Sequence, residues 1–230
     1  PGEDGFGVYY HDQPVLAKGK IRFYGEPVVA IVAETLEDAE EAEKGVEITY
    51  KKLPVVSNIQ EAIECKAVLH EDHPDNIVST TCVQKGNVEE GFKSSEIIIE
   101  KDFSTQAVDH AYLETEAGIS YCEPDGTIVV KSCDQDITHH RVLLAKILGM
   151  PINKVRVIMS PVGGGFGGKE DMIYQAILAI ATLKTNQPVK LVFSREDSMI
   201  GSCKRHPVKM HYKIGLKSDG KIQAVKAEIR

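Results

Sequence analysis

KVRVIMS at 154–160, PVGGGFGGKE at 161–170 and DMIYQAILAIATL at 171–183 form one continuous run with three different periodicities. Val155, Val157 and Met159 alternate with Arg156 and Ile158, which predicts a half-buried strand. Met172 to Leu183 is apolar on almost every face, which predicts a deeply buried helix, and its twelve residues are too few to span a bilayer. Between them, Gly163, Gly164, Gly165, Gly167 and Gly168 remove side chains where the backbone could approach a ligand closely, and they permit positive φ. A loop that feeds a helix N-terminus presents unpaired N–H groups and the positive end of the helix dipole to an anion. The run therefore predicts strand, glycine loop and helix, with a phosphate-bearing or otherwise anionic ligand at 163–170.

Two nucleotide-binding patterns overlap this loop. Gly163-x4-Gly168-Lys169 follows a Walker A loop up to Glu170, where the motif needs Ser or Thr for magnesium. A carboxylate there would repel the phosphates, so that pattern is rejected. Gly163, Gly165 and Gly168 also satisfy G-x-G-x-x-G, but the acidic ribose partner would have to be Glu196 or Asp197, and both fall late. The plainest alternative gives the glycines only a tight strand–helix turn.

At 230 residues the chain has room for one large or two small domains with real cores. A net charge of −7 argues against a nucleic-acid binder, and seven acids against one lysine within 34–47 assign much of the excess to one solvated helix face. Cys65, Cys82, Cys122, Cys133 and Cys203 include no C-x-x-C pair, which argues against a disulfide framework, zinc or an iron–sulfur cluster. Free thiols in a reducing cytoplasm are expected. No signal peptide or membrane-spanning run is present, although a chain that starts on Pro1 and stops in a strand-like run leaves both termini open to being artificial.

Upstream, Pro27 to Ala33 is a continuous apolar run that predicts a strand covered on both faces. Thr35 caps a helix carrying Leu36, Ala39, Ala42 and Val46 on one face, and Val46 to Tyr50 alternates as a second strand, giving a β–α–β unit. Residues 64–95 carry turn-formers and charge, and His70 and His73 among them sit on no regular face, so a polar linker is expected. Glu96–Phe103, Ala117–Cys122, Thr127–Cys133, Pro188–Phe193, Met210–Leu216 and Ile222–Ile229 read as strands. Turns are expected at 123–126 and 218–220, and a helix over Ile137–Leu148 stopped by Gly149 and Pro151. The expected class is α+β with mixed sheets, divided as 1–63, a linker at 64–95, and 96–230.

GGGFGGKE at 163–170 resembles the molybdopterin loop of the xanthine dehydrogenase and aldehyde oxidase family, the molybdenum hydroxylases. DHAYLET at 109–115, Gln135 before a helix ending AKILG at 145–149, and RHP at 205–207 resemble family segments in the same order. Residues 20–60 look like the family's α/β hammerhead domain, which makes 96–230 the N-terminal part of a molybdopterin-binding domain.

The resemblance implies a molybdenum-dependent hydroxylase of a purine or related N-heterocycle, using water as oxygen source. Its electrons would pass to iron–sulfur and FAD groups on partner domains or subunits. Its cofactor would be molybdopterin, with the cytosine dinucleotide form as one option. The metal takes its sulfur ligands from the pterin, so no protein ligand is expected. Gln135, Gly165, Phe166 and Gly167 become the expected cofactor-binding residues: the Gln135 amide would donate to an oxo ligand without titrating, and the Phe166–Gly167 backbone would face the metal. Glu170 matches the glutamate that holds the substrate ring in the purine-oxidising branch. The family's general base lies beyond Arg230, so no catalytic residue is expected here, and the piece alone should be inactive. Expected partners are the remainder of the molybdenum subunit and a small-molecule substrate, with no nucleic acid and no membrane.

Plainer roles stand beside these. Gln135 would simply be exposed next to an Asp136 helix cap, Phe166 would be a packing plug under the loop, and Glu170 would be an acid in the first helix turn. Two other functions stay open: a non-catalytic cofactor-binding or assembly module of the same fold, and an aldehyde-oxidising relative.

Overall fold

The computed structural model of the chain describes residues 2–7 and 10–230. In chain order its elements are α1 (Leu36–Glu43), α2 (Ile59–Ile63), α3 (Val88–Lys93), β1 (Ile97–Ser104), β2 (Ala117–Cys122), β3 (Ile128–Ser132), α4 (Ile137–Leu148), β4 (Val155–Met159), α5 (Gln175–Thr185), β5 (Val189–Val192), α6 (Arg195–Gly201), β6 (Lys209–Leu216) and β7 (Ile222–Ile229). They gather into two compact units, Pro1–Ile48 with Asp109–Arg205, and Thr49–Val108 with His206–Arg230. None of the described helices is long and apolar enough to cross a membrane.

The first unit is built on a four-stranded mixed sheet of order β4-β3-β2-β5. β3 and β4 are parallel, joined by α4, while β2 runs antiparallel to both β3 and β5. Asp136 caps α4 by accepting from the His139 N–H at 3.0 Å, and Gly149 ends it in the left-handed region at φ 63°, as the sequence predicts. The 123–126 turn joins β2 to β3, with Gly126 at φ 81°. Ile128, Val130, Leu143, Leu144, Val155, Met172, Ala176 and Ala179 form the core. Phe6 and Val15 enter the same core, so the turn-rich N-terminal segment packs with the sheet that follows 100 residues on. Each unit therefore draws on two stretches that lie apart in the sequence.

Leu144 is fully buried in this core. Leu144→Ala should destabilise the first unit by about 2–5 kcal/mol, because it loses transfer energy and leaves a cavity. An unchanged urea midpoint would contradict that packing.

The second unit is an antiparallel three-stranded sheet, order β1-β6-β7. The predicted Ser218–Gly220 turn closes its hairpin, with Gly220 at φ 85°. The expected linker holds a helix of its own, α3, capped by Asn87 through the Glu89 and Glu90 N–H groups.

Three local expectations are corrected. The β–α–β unit keeps its helix, capped by Thr35, but 27–33 and 46–50 are not strands. A strand needs a ladder partner, and neither run has one; Val29, Val32, Ile48 and Tyr50 remain exposed. The buried helix begins at Gln175 rather than Met172, so the glycine loop does not feed its N-terminus directly. Glu170 accordingly lies five residues ahead of α5, outside any first helix turn, and the dipole argument for it falls.

Candidate functional site

Ligands of sheets with parallel strands collect beyond the strands' carboxyl ends. Beyond β3 comes 133–136, and beyond β4 comes the glycine loop. Because β2 and β5 run the other way relative to β3 and β2, residues 109–116 and 193–195 emerge at the same edge.

Gln135 ties its own loop to the glycine loop. Its Oε1 accepts from the Gly167 N–H at 3.2 Å and the Lys169 N–H at 3.1 Å, and its backbone N–H donates to the Lys169 carbonyl at 2.9 Å. Two donors on one oxygen fix which end of the amide is carbonyl, leaving Nε2 as the donor on an exposed residue. So Gln135 is exposed beside an Asp136 cap, as its plainer role has it, and it also organises the loop. Gly165 is buried against it: a Cβ there would lie 2.2 Å from Gln135 Oε1. The N–H groups of Gly164, Gly165 and Phe166 have no acceptor among the described residues. Gly167, at φ 89°, faces open space apart from His110 Nε2 at 3.9 Å.

Phe166 corrects its packing reading. It stands at φ 54° with 74% of its surface exposed, so it is no plug. A bulky residue held in the left-handed region is strained by about 1–2 kcal/mol, and such strain concentrates at ligand sites. Glu170 is exposed too, while its backbone carbonyl is held by His140 Nε2 at 2.8 Å.

Several residues at this edge escaped the sequence reading. Glu114 Oε2 accepts from the Gly163 N–H at 2.8 Å and from Lys169 Nζ at 2.8 Å. Partial burial would raise the Glu114 carboxyl, but the Lys169 ammonium and the Gly163 N–H hold it below the usual carboxylate range. Lys169 is buried, with Nζ 4.6 Å from the centre of the Tyr112 ring. His110 Nδ1 is buried without a hydrogen-bond partner among the described residues, 2.8 Å from where a Gly168 Cβ would sit. Burial and the adjoining Asp171 carboxylate push the Cys203 thiol up to about 12, away from the thiolate form.

Asp134 turns inward, away from the loop face that its charge would have spoiled. It accepts from Ser132 Oγ and Gln175 Nε2, and Gln175 Oε1 in turn accepts the Ile173 and Tyr174 N–H groups at 2.8 and 2.9 Å, which holds the turn just before α5. His140 Nδ1 lies 3.2 Å from Asp134 Oδ2, a charge contact without hydrogen-bond alignment. Burial would lower the His140 pKa, but Asp134 beside it carries it above the ordinary 6.5. A raised histidine pKa gives stability that is complete below about 6.5 and is lost as pH rises through the folded value. The urea-midpoint gap between wild type and His140→Gln should therefore be wider at about pH 5.5 than at about pH 8.5. A gap that widens with pH would contradict the pairing.

These features define a backbone-lined ligand cradle at one edge of a mixed sheet. Residues 69–230 match the model of the molybdopterin cofactor-binding domain, and residues 2–54 match that of the aldehyde oxidase and xanthine dehydrogenase a/b hammerhead domain. The chain belongs to the aldehyde oxidase and xanthine dehydrogenase family. It is 36% identical over its whole length to the nicotinate dehydrogenase large molybdopterin subunit of Eubacterium barkeri, and spans 54% of that protein. It is 36% identical over 97% of its length to a probable xanthine dehydrogenase subunit of Bacillus subtilis (strain 168), spanning 30% of it. The aldehyde oxidoreductase of Desulfovibrio gigas shares the fold, with a TM-score of 0.90 at 24% identity over the whole chain and 25% of that protein.

The residues present fit a molybdopterin group. The run of unpaired N–H groups at 164–166, the open face of Gly167 and the orphaned His110 Nδ1 all suit an oxygen-rich ligand lying against the loop.

Proposed function

We propose that this chain is one wall of the active site of a molybdenum hydroxylase that oxidises an N-heterocycle, with xanthine and nicotinate as the substrate types to test first. The observation that carries this reading is the Gln135–glycine-loop pairing, in which two loop N–H groups hold the amide oxygen and leave Nε2 as a non-titrating donor. When bound, molybdopterin would supply the redox centre for hydroxylation of an activated C–H bond with oxygen from water, its electrons leaving through iron–sulfur and FAD groups on other domains or subunits. The chain's own part is binding and orientation. Gly165, Phe166 and Gly167 offer backbone to the cofactor, Gln135 Nε2 donates to it, and the exposed Glu170 carboxylate accepts from a ring N–H of a purine such as xanthine, a donor that nicotinate does not offer. The relatives named for nicotinate and xanthine support the heterocycle class, since both compounds are nitrogen heterocycles. A cytoplasmic location belongs to the same proposal, with the cytosine dinucleotide form of the pterin as one option. The experiment is turnover by the full-length protein with its partner subunits in isotopically labelled water. Product carrying the label supports the reading, and absence of hydroxylated product from either heterocycle overturns it.

A further inference from the structure

We propose that Glu114 and Lys169 are a positioning pair that closes the glycine loop across its two ends and so sets where Gly167 and Glu170 present themselves. The proposal deepens the reading above and rests on it for the identity of the ligand. Glu114 Oε2 receives the Gly163 N–H, where the loop begins, and the Lys169 ammonium, where it ends, each at 2.8 Å. The same Lys169 also gives its backbone N–H and carbonyl to Gln135. One residue thus fastens the loop to two separate strap segments, and Glu170 follows it directly. The 112–114 strap is itself held, because Arg195 Nη2 donates to the Tyr112 and Leu113 carbonyls at 2.8 and 2.7 Å. Neither member of the pair need touch the substrate, since Lys169 is spent on Glu114 and the Tyr112 ring.

The pair is asymmetric, which makes it testable. The Lys169 side chain is 2% exposed and that of Glu114 is 38%. Removing Glu114's charge strands a buried ammonium, whereas removing Lys169's charge leaves a carboxylate that water can still reach. In the full-length holoenzyme, amide hydrogen exchange across 162–171 should speed up about tenfold or more in Glu114→Gln and by a smaller factor in Lys169→Met. The double variant Glu114→Gln/Lys169→Met should exchange more slowly than Glu114→Gln alone, because no unpaired ammonium remains. Exchange across β3 should stay level in all three. kcat/KM on xanthine per bound molybdenum should follow the same rank order. Loop exchange equal to wild type in every variant, or a double variant no slower than Glu114→Gln, overturns the pair. Should Glu114→Gln not accumulate as folded holoenzyme, Lys169→Met against wild type decides it: faster loop exchange supports the pair, unchanged exchange contradicts it. If wild type oxidises no heterocycle, the functional reading fails while the exchange result still stands for or against the pair.

Discussion

Purified alone, the 230-residue chain is expected to hydroxylate neither xanthine nor nicotinate with an artificial electron acceptor. In the proposed role the site binds and orients, and neither Gln135 nor Glu114 serves it as a general base. Gln135 does not titrate, and Glu114 is kept ionised by Lys169 and committed to two donors. The family resemblance assigns the base, and the arginine loops that complete the substrate pocket, to sequence beyond Arg230. The chain spans 54% and 30% of its two named relatives. Losing a positioned base typically costs 10²–10⁴-fold, and losing part of the cofactor cage as well should put turnover below detection. Measurable hydroxylation by the purified piece would mean that the missing machinery is present here after all.

In the full-length enzyme, Glu170→Gln should lower kcat/KM for xanthine by about ten- to a hundredfold, or roughly 1.5–3 kcal/mol, the loss of one charged hydrogen bond. It should leave thermal stability unchanged. The second half of this expectation follows from the fold. Glu170 lies five residues before α5, so its carboxylate supports no helix start. What the structure uses is its backbone carbonyl, which His140 holds and which Gln would retain. Its side chain is exposed. Unchanged kcat/KM would remove Glu170 from the substrate site. A fall in stability of about 1 kcal/mol with level kinetics would restore a structural role.

What the sequence made legible was local. The Asp136 cap, the Gly149 stop and the two Asp-Gly turns each depend on neighbours a few residues away, and each forms where its residues predict. The hidden part of the site depends on long-range pairing. Lys169 meets Glu114 across 55 residues, Gln175 meets Asp134 across 41, and His140 reaches the Glu170 carbonyl across 30. No periodicity encodes such partners. Asp134 illustrates the consequence, since it adjoins exposed Gln135 in the chain, and in the fold it is buried and accepts from Gln175, whose own side chain holds the turn before α5. The apolar run at 27–33 fails as a strand for the complementary reason, since high β-propensity forms no ladder without a partner at its edge. Phe166 misleads in a third way. Hydrophobicity predicts burial, but its left-handed backbone at the apex of the loop turns the ring outward.

The most direct test of the central claim is the molybdenum and pterin content of the full-length protein, measured on one native preparation beside Gly167→Val. Gly167 has φ 89° and open space beside it apart from His110 Nε2, so a branched side chain there would both strain the loop and occupy the proposed cradle. Wild type should carry molybdenum and pterin in a one-to-one ratio with the subunit, and Gly167→Val should lose most of both while remaining folded. Wild type free of molybdenum, or a Gly167→Val variant that retains full cofactor, would contradict the assignment of this loop as the molybdopterin cradle.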